Sequence, residues 1–343
     1  MTMLVTGANG FVGAAVVRAL LAGAESVRAF VRPGSDRRNL DGLGVALAEG
    51  DIRSPATLAA AMRGCRAVFH VAADYRLWVP DAERMLETNV RGSLNVLEAA
   101  AEAGLERMVY TSSVATLGLR SDRAPADETT PVGVGDMIGP YKRSKYLAEE
   151  AVSRRAAELG FDLVTVNPST PVGPGDIKPT PTGRIIIDAA SGRMPAFVDT
   201  GLNLVHVDDV ARGHVLALSK GRAGERYILG GRDISLERIL ELVADRCGRP
   251  RPKIRLPHWS VYPVAFGSEL VSKVTGREPR VSLDGLRMAA KHMYFSSAKA
   301  ERELGYRWRD PAEAVTDAIA WFERNGYLRG GSRAKKSSAP FSR

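Results

Sequence analysis

A short apolar run at residues 3–5 leads into Thr6-Gly7-Ala8-Asn9-Gly10-Phe11-Val12-Gly13 and then into an unbroken helical pattern. Few local sequences restrict a fold so tightly. Gly7 permits the tight turn, Gly10 lets backbone approach a phosphate, and Gly13 lets the helix pack closely on the strand. The uncovered amides and partial positive charge at the helix start then favour an anion. A glycine turn alone is weak evidence. Between a strand and a helix that open a strand–helix–strand unit, it predicts dinucleotide binding. Gly7, Asn9, Gly10, Phe11, Val12 and Gly13 are the expected contacts.

The pattern that follows agrees. Apolar runs at 27–31, 45–48, 67–71, 108–111 and 162–166, like that at 3–5, each read as a buried strand. Helical patterns at 11–22, 55–62, 81–103 and 141–159 separate them. This alternation predicts an α/β, Rossmann-type, doubly wound parallel sheet, with its ligand crevice at the carboxyl ends of the strands. After Pro168 the pattern breaks into frequent Pro and Gly, with helical runs at 184–190, 208–219, 236–246 and 311–324 and a strand at 226–229. The expected domains are a dinucleotide-binding domain over 1–167 and a smaller, mixed substrate-binding lobe over 168–328. Residues 205–230 return to the core, and a disordered basic tail covers 329–343. The run 258–275, with Trp259, Tyr262, Val264, Phe266 and Leu270, reads as core or as an apolar lid over substrate.

Charge and composition exclude several classes. The net charge is +9, and after Glu323 come Arg324, Arg329, Arg333, Lys335, Lys336 and Arg343 without an acid. That tail reads as solvated, or as a weak contact with an anionic membrane surface; it lacks the interleaved aromatics of a single-strand nucleic-acid binder. No apolar stretch is long enough to span a bilayer. Two cysteines, Cys65 and Cys247, in unrelated contexts predict a reducing compartment, and no His/Cys/acid cluster has metal-ligand spacing. The chain opens directly on an apolar strand, which predicts no secretory leader and a cytoplasmic location.

Residue types at the strand ends refine the cofactor. Arg32 ends the second strand, where NAD sites place an acid for the ribose hydroxyl and where an arginine suits a 2′-phosphate. Arg37 and Arg38 follow. Either the three bind the phosphate of NADP or they are solvated, so NADP is preferred and NAD kept. Asp51, followed by Ile52, is placed to accept from the adenine amino group or to begin the next helix. Val71, Ala72 and Ala73 are small enough to let the cofactor lie flat.

Tyr141 and Lys145 stand four apart at a helix start, which puts both side chains on one face. A neighbouring ammonium and an oxidised nicotinamide together are expected to lower the tyrosine pKa. The fifth strand ends in Thr111-Ser112-Ser113, whose hydroxyls reach the crevice edge. Asp74, Tyr75 and Ser112 border it as candidate substrate contacts. His70 and His206 read as structural, and Asp208 and Asp209 as helix caps.

On these residues the chain resembles the extended short-chain dehydrogenase/reductases over essentially residues 1–328. The matching motifs are TGANGFVG at 6–13, GD at 50–51, HVAA at 70–73, NVRGSLNVLEAA at 89–100, YTSS at 110–113, YKRSK at 141–145, NLVHVDDVARGH at 203–214 and SSAKAERELGYRWR at 296–309. The resemblance implies a Ser113–Tyr141–Lys145 triad, a nicotinamide lined by Pro168, Ser169 and Thr170, and a homodimer through the helices at 81–103 and 141–159. VAADYRLW at 71–78 looks most like hopanoid-associated sugar epimerases, relatives of dihydroflavonol reductases. Two departures matter. Val114 and Ala115 stand where sugar-nucleotide dehydratases carry an Asp–Glu pair, and Lys291-His292-Met293-Tyr294-Phe295 replaces a diphosphate-binding Arg-x-Gly-Asp stretch. The implied activity is hydride transfer at a hydroxyl or carbonyl carbon: first a sugar-directed NAD(P)-dependent epimerase/reductase, possible in hopanoid biosynthesis by the resemblance, and second an NADPH-dependent carbonyl reductase on a larger apolar ketone or aldehyde. A non-enzymatic dinucleotide sensor would be expected to lack the tyrosine or the lysine.

Overall fold

Strand and helix alternate as the apolar runs require. The computed structural model describes residues 1–76, 78–79, 81–275, 279 and 282–328; the expected tail at 329–343 lies outside them. The first part contains β1 (Thr2–Thr6), α1 (Phe11–Ala22), β2 (Ser26–Val31), β3 (Ala46–Glu49), α2 (Pro55–Met62), β4 (Cys65–His70), α3 (Ala82–Glu102), β5 (Arg107–Thr111), α4 (Gly139–Leu159) and β6 (Leu163–Pro168). Next come β7 (Thr170–Val172), α5 (Pro181–Ala190), β8 (Ala196–Val198), β9 (Gly201–His206), α6 (Val207–Lys220), β10 (Arg226–Leu229) and β11 (Arg232–Ser235). The last are α7 (Leu236–Cys247), β12 (Ile254–Leu256), α8 (His258–Thr275), α9 (Leu283–Ala289), β13 (His292–Met293), α10 (Ala298–Leu304) and α11 (Pro311–Arg324).

Seven strands form one parallel sheet in the order β10-β6-β5-β4-β1-β2-β3. The order reverses between β1 and β4, so the loops after these two strands diverge and leave the crevice where ligands of such sheets bind. One face is covered by α1 and α6, whose Val16, Val17, Val210 and Ala211 pack on Met3, Val5 and Phe69. The other is covered by α2, α3 and α4, through Leu58, Val96, Leu97 and Val152 over Leu4, Val68 and Tyr110. A second sheet centres on β9, paired with β7, β11 and β13, and its own core runs through Ile186, Leu204, Ile239 and Ile319.

Two strand expectations are corrected. The third strand lies one residue later than 45–48 and is mostly exposed, Leu47 included, because it forms the sheet edge. The sixth extends past Val166 to Pro168, where it runs beside Leu229 of β10. The core reading of 258–275 also fails: on α8 Trp259 is 74% and Phe266 65% exposed.

Candidate active site

The glycine turn leaves β1 with Gly7 at φ +64°, its missing Cβ making room for the Ala72 backbone after β4. A Cβ on Gly13 would lie 2.1 Å from the Gly7 carbonyl oxygen, so α1 approaches the turn only with glycine there. A Cβ on Gly10 would be crowded by that same carbonyl, at 3.2 Å. Gly10 is also the N-cap of α1, with no capping side chain and no acid in the first turn. Orphan amides and a favourable dipole therefore coincide at a close backbone turn that leaves little room for a side chain, as a pyrophosphate site needs. Phe11 and Val12 point into the sheet packing, and Asn9 turns its amide to the Asp36 carbonyl at 2.8 Å, steadying the loop after β2.

The three arginines of that loop separate. Arg37 pairs with Glu49, and Arg38 forks onto Asp36 at 2.7 and 3.1 Å. Arg32 is exposed and makes no side-chain hydrogen bond or ion pair among the described residues; its charge helps lower the pKa values of Asp51 and Asp74. Asp51 is itself forked by Arg53, which holds its carboxyl below the usual range. Neighbouring Ile52 is buried against Gly92.

After β4, the Thr6 hydroxyl accepts from the Val71 and Ala72 amides, each at 3.2 Å. It lies 2.7 Å from His70 Nδ1, and His70 Nε2 lies 2.9 Å from Ser93 Oγ, which donates to the Asn89 carbonyl. Because Ser93 spends its proton on that carbonyl, Nε2 is the donor and Nδ1 accepts from Thr6. Burial, with nearby Lys145 adding to it, pushes His70 down to about 3, so the ring stays neutral and serves as a brace. Asp74 receives the Asn89 clamp on its backbone and Arg76 on its carboxylate; Tyr75 reaches the Lys178 carbonyl at 3.4 Å. Ala73 follows Ala72 on this same loop.

The Tyr141 phenol lies against the Ser113 hydroxyl, which sits just beyond the end of β5. Burial raises the Tyr141 pKa, and the hydrogen-bonding contact with Ser113 opposes it. The anticipated lowering by Lys145 is absent from this arrangement. Lys145 instead donates to the Thr111 carbonyl at 2.8 Å and stands 5.0 Å from the Tyr110 ring centre. Its burial lowers its pKa to about 8, against the attraction of Glu149 one turn on. Ser112 is corrected outright as a substrate contact: its buried hydroxyl donates to Glu149, which also takes Thr116 at 2.8 Å, Asn167 at 3.1 Å and Arg226 at 3.3 Å. Pro168 and Thr170 flank Ser169, whose hydroxyl is buried without a hydrogen-bond partner among the described residues. An orphaned hydroxyl, an uncapped helix and a close glycine turn along one sheet edge fit a dinucleotide.

Sequence reading passed over Asn89, Glu149 and Lys142. The first two carried a faint signal, an amide and a carboxylate on the apolar sides of helices. Lys142 had none; its Nζ lies 3.9 Å from Met293 Sδ, and burial together with Lys291 lowers it to about 8.

Residues 3–230 match the NAD dependent epimerase/dehydratase family. A Synechocystis sp. protein named dihydroflavonol 4-reductase is 46% identical over 329 residues, 95% of each chain. Sterol demethylase protein B of Methylococcus capsulatus is 36% identical over 330 residues, 96% of this chain and all of that one. The solved structure of gox2253 superposes with a TM-score of 0.86 at 55% identity, covering 96% of this chain and 99% of the other. Fold and site thus define a nicotinamide-dinucleotide enzyme of the oxidoreductase/epimerase class. The chain belongs to the NAD dependent epimerase/dehydratase family, among the extended short-chain dehydrogenase/reductases.

Proposed function

We propose that the chain is an NADPH-dependent carbonyl reductase, with residues 1–167 holding most of the cofactor and 168–328 forming the substrate lobe. The observation that carries this reading is the half-buried Tyr141 phenol set against Ser113, its pKa raised so that it keeps its proton, an arrangement suited to giving a proton to a carbonyl oxygen. Unpaired Arg32 suits a 2′-phosphate, and the reductase name of the 46%-identical Synechocystis relative points the same way. Val114 and Ala115 supply no acid–base pair for dehydration.

The α1 N-terminus and Gly10 would hold the pyrophosphate, Arg32 the 2′-phosphate, and Ser169 and its neighbours the nicotinamide. When bound, the cofactor supplies hydride to the carbonyl carbon. Ser113 orients the carbonyl oxygen, and Tyr141 transfers its phenolic proton there as negative charge develops. Lys145, anchored on the Thr111 carbonyl, braces the end of β5 just before Ser113. Ser112, Thr116 and Asn167, gathered on Glu149, fix the strand end from which Ser113 projects.

The test incubates purified protein with NADPH and a panel of apolar ketones, aldehydes and ketoses, with Tyr141→Phe as control. Net NADPH consumption that the control loses supports reduction. Isomerisation of a sugar without net consumption would replace it with the epimerase reading.

A further inference from the structure

Among the described residues, seven of the twelve exposed large apolar side chains lie between 254 and 271, so they form a patch and are not scattered singly. Most belong to α8, which is built inside out. Trp259, Pro263, Phe266 and Leu270 recur at helical spacing along one outward face, with Val264 and Val271 beside them, all exposed. The inward face buries Ala265 and Ser272. The helix's single acid, Glu269, also turns inward and accepts the Leu283 amide at 2.7 Å, capping α9. A surface helix normally does the reverse, and Trp259 at 74% exposure lines no enclosed pocket.

The surrounding charge selects what covers this face. The segment leading into α8 carries exposed Arg251, Lys253 and Arg255. The nearby carboxylates Asp245 and Asp199 are already bridged by Arg251 and Arg255, while Lys253 has no ion pair among the described residues. Among the described residues the free charge beside the stripe is therefore positive, on a chain of net charge +9. A second copy would set like charge against like charge. We propose that α8 docks flat on an anionic lipid surface, with Trp259, Phe266 and Leu270 in the headgroup–acyl boundary and Lys253 among the headgroups. An aromatic, apolar helical face with basic flanks is what such a surface binds.

The experiment sediments the full-length protein with vesicles of phosphatidylglycerol and phosphatidylcholine, and with phosphatidylcholine alone. It compares wild type with Trp259→Ser/Phe266→Ser/Leu270→Ser, with Lys253→Glu, and with a chain ending at residue 328. NADPH binding and melting curves confirm that each variant is folded. The expected result is binding to the anionic vesicles that falls at least about tenfold in the triple variant and severalfold in Lys253→Glu and in high salt. Equal binding by wild type and triple variant, loss of binding on removal of the tail alone, or no binding to either vesicle overturns the proposal. So does a concentration-dependent dimer that the triple variant abolishes, since a second copy would then be the occupant.

Discussion

Asn89 grips Asp74 from both sides: its Oδ1 accepts the Asp74 amide at 2.8 Å and its Nδ2 donates to the Asp74 carbonyl at 2.9 Å. The same Nδ2 donates to Ser144 Oγ at 2.9 Å, and Ser144 donates to the Tyr141 carbonyl. One buried amide therefore ties the loop after β4 to the first turn of α4. Asn89→Ala strands buried partners and should cost about 2–4 kcal/mol in urea unfolding at neutral pH. Activity should fall at least about tenfold, because Tyr141 loses its fixed distance from the crevice. Full activity in a destabilised variant would refute that link.

Tyr141→Phe removes the phenolic proton and little volume. The catalytic rate should drop by about 10²–10⁴, the span expected for losing one general acid, while NADPH affinity stays within about twofold. Steady-state rates paired with cofactor titration check both halves. A comparable loss of affinity would mean that the phenol serves binding more than proton transfer.

Arg32 is the loop arginine left without a partner, since Glu49 and Asp36 already hold Arg37 and Arg38. Arg32→Glu should weaken NADPH by about 10–100-fold and leave NADH unchanged or tighter, because a carboxylate repels a 2′-phosphate and accepts a ribose hydroxyl. Fluorescence titration with both cofactors decides. Parallel losses for the two would place the phosphate elsewhere.

The glycine turn, the Tyr141–Lys145 spacing and the hydroxyls ending β5 were legible because each is local: a turn, one helix face, one strand end. Ser112 and Ser113 show where legibility stopped. Neighbours in extended backbone point to opposite sides, so one hydroxyl faces Tyr141 and the other Glu149, and no feature of the local sequence says which. The same limit separated Arg32 from Arg37, whose partner Glu49 lies on the next strand. On α8, periodicity grouped Trp259, Phe266 and Leu270 on one face, but only the tertiary structure turned that face outward.

Glu149 draws four partners from α4's surroundings, with its side chain only 8% exposed. Glu149→Ala leaves the Ser112 and Thr116 hydroxyls, the Asn167 amide and the Arg226 guanidinium without their acceptor. A loss of about 3–5 kcal/mol is expected, as for other broken buried charge pairs. Glu149→Gln keeps the shape and should lose less. If both variants unfold at the wild-type urea midpoint, the cluster contributes nothing to stability.

Lys142 carries the opposite sign. Its ammonium is half-buried near Lys291 and Met293 without an acid among the described residues, and its pKa falls from 10.5 to about 8. A depressed lysine pKa means that folding disfavours the cation. Below pH 8 both folded and unfolded states are charged and the full penalty applies. Between about 8 and 10.5 the folded state releases its proton while the unfolded state keeps it, so stability contributed by this site rises with pH. Lys142→Met should therefore stabilise the protein at pH 7, by at most about 3 kcal/mol given the size of the shift. The gain should shrink through that window and vanish near its upper end. Lys145, which titrates in the same range and faces Tyr110 and Glu149, is present in both proteins and cancels in the difference. Melting curves of wild type and variant at pH 7, 8.5 and 10 measure the effect, and a gain that stays constant with pH would assign it to packing against Met293 and not to charge.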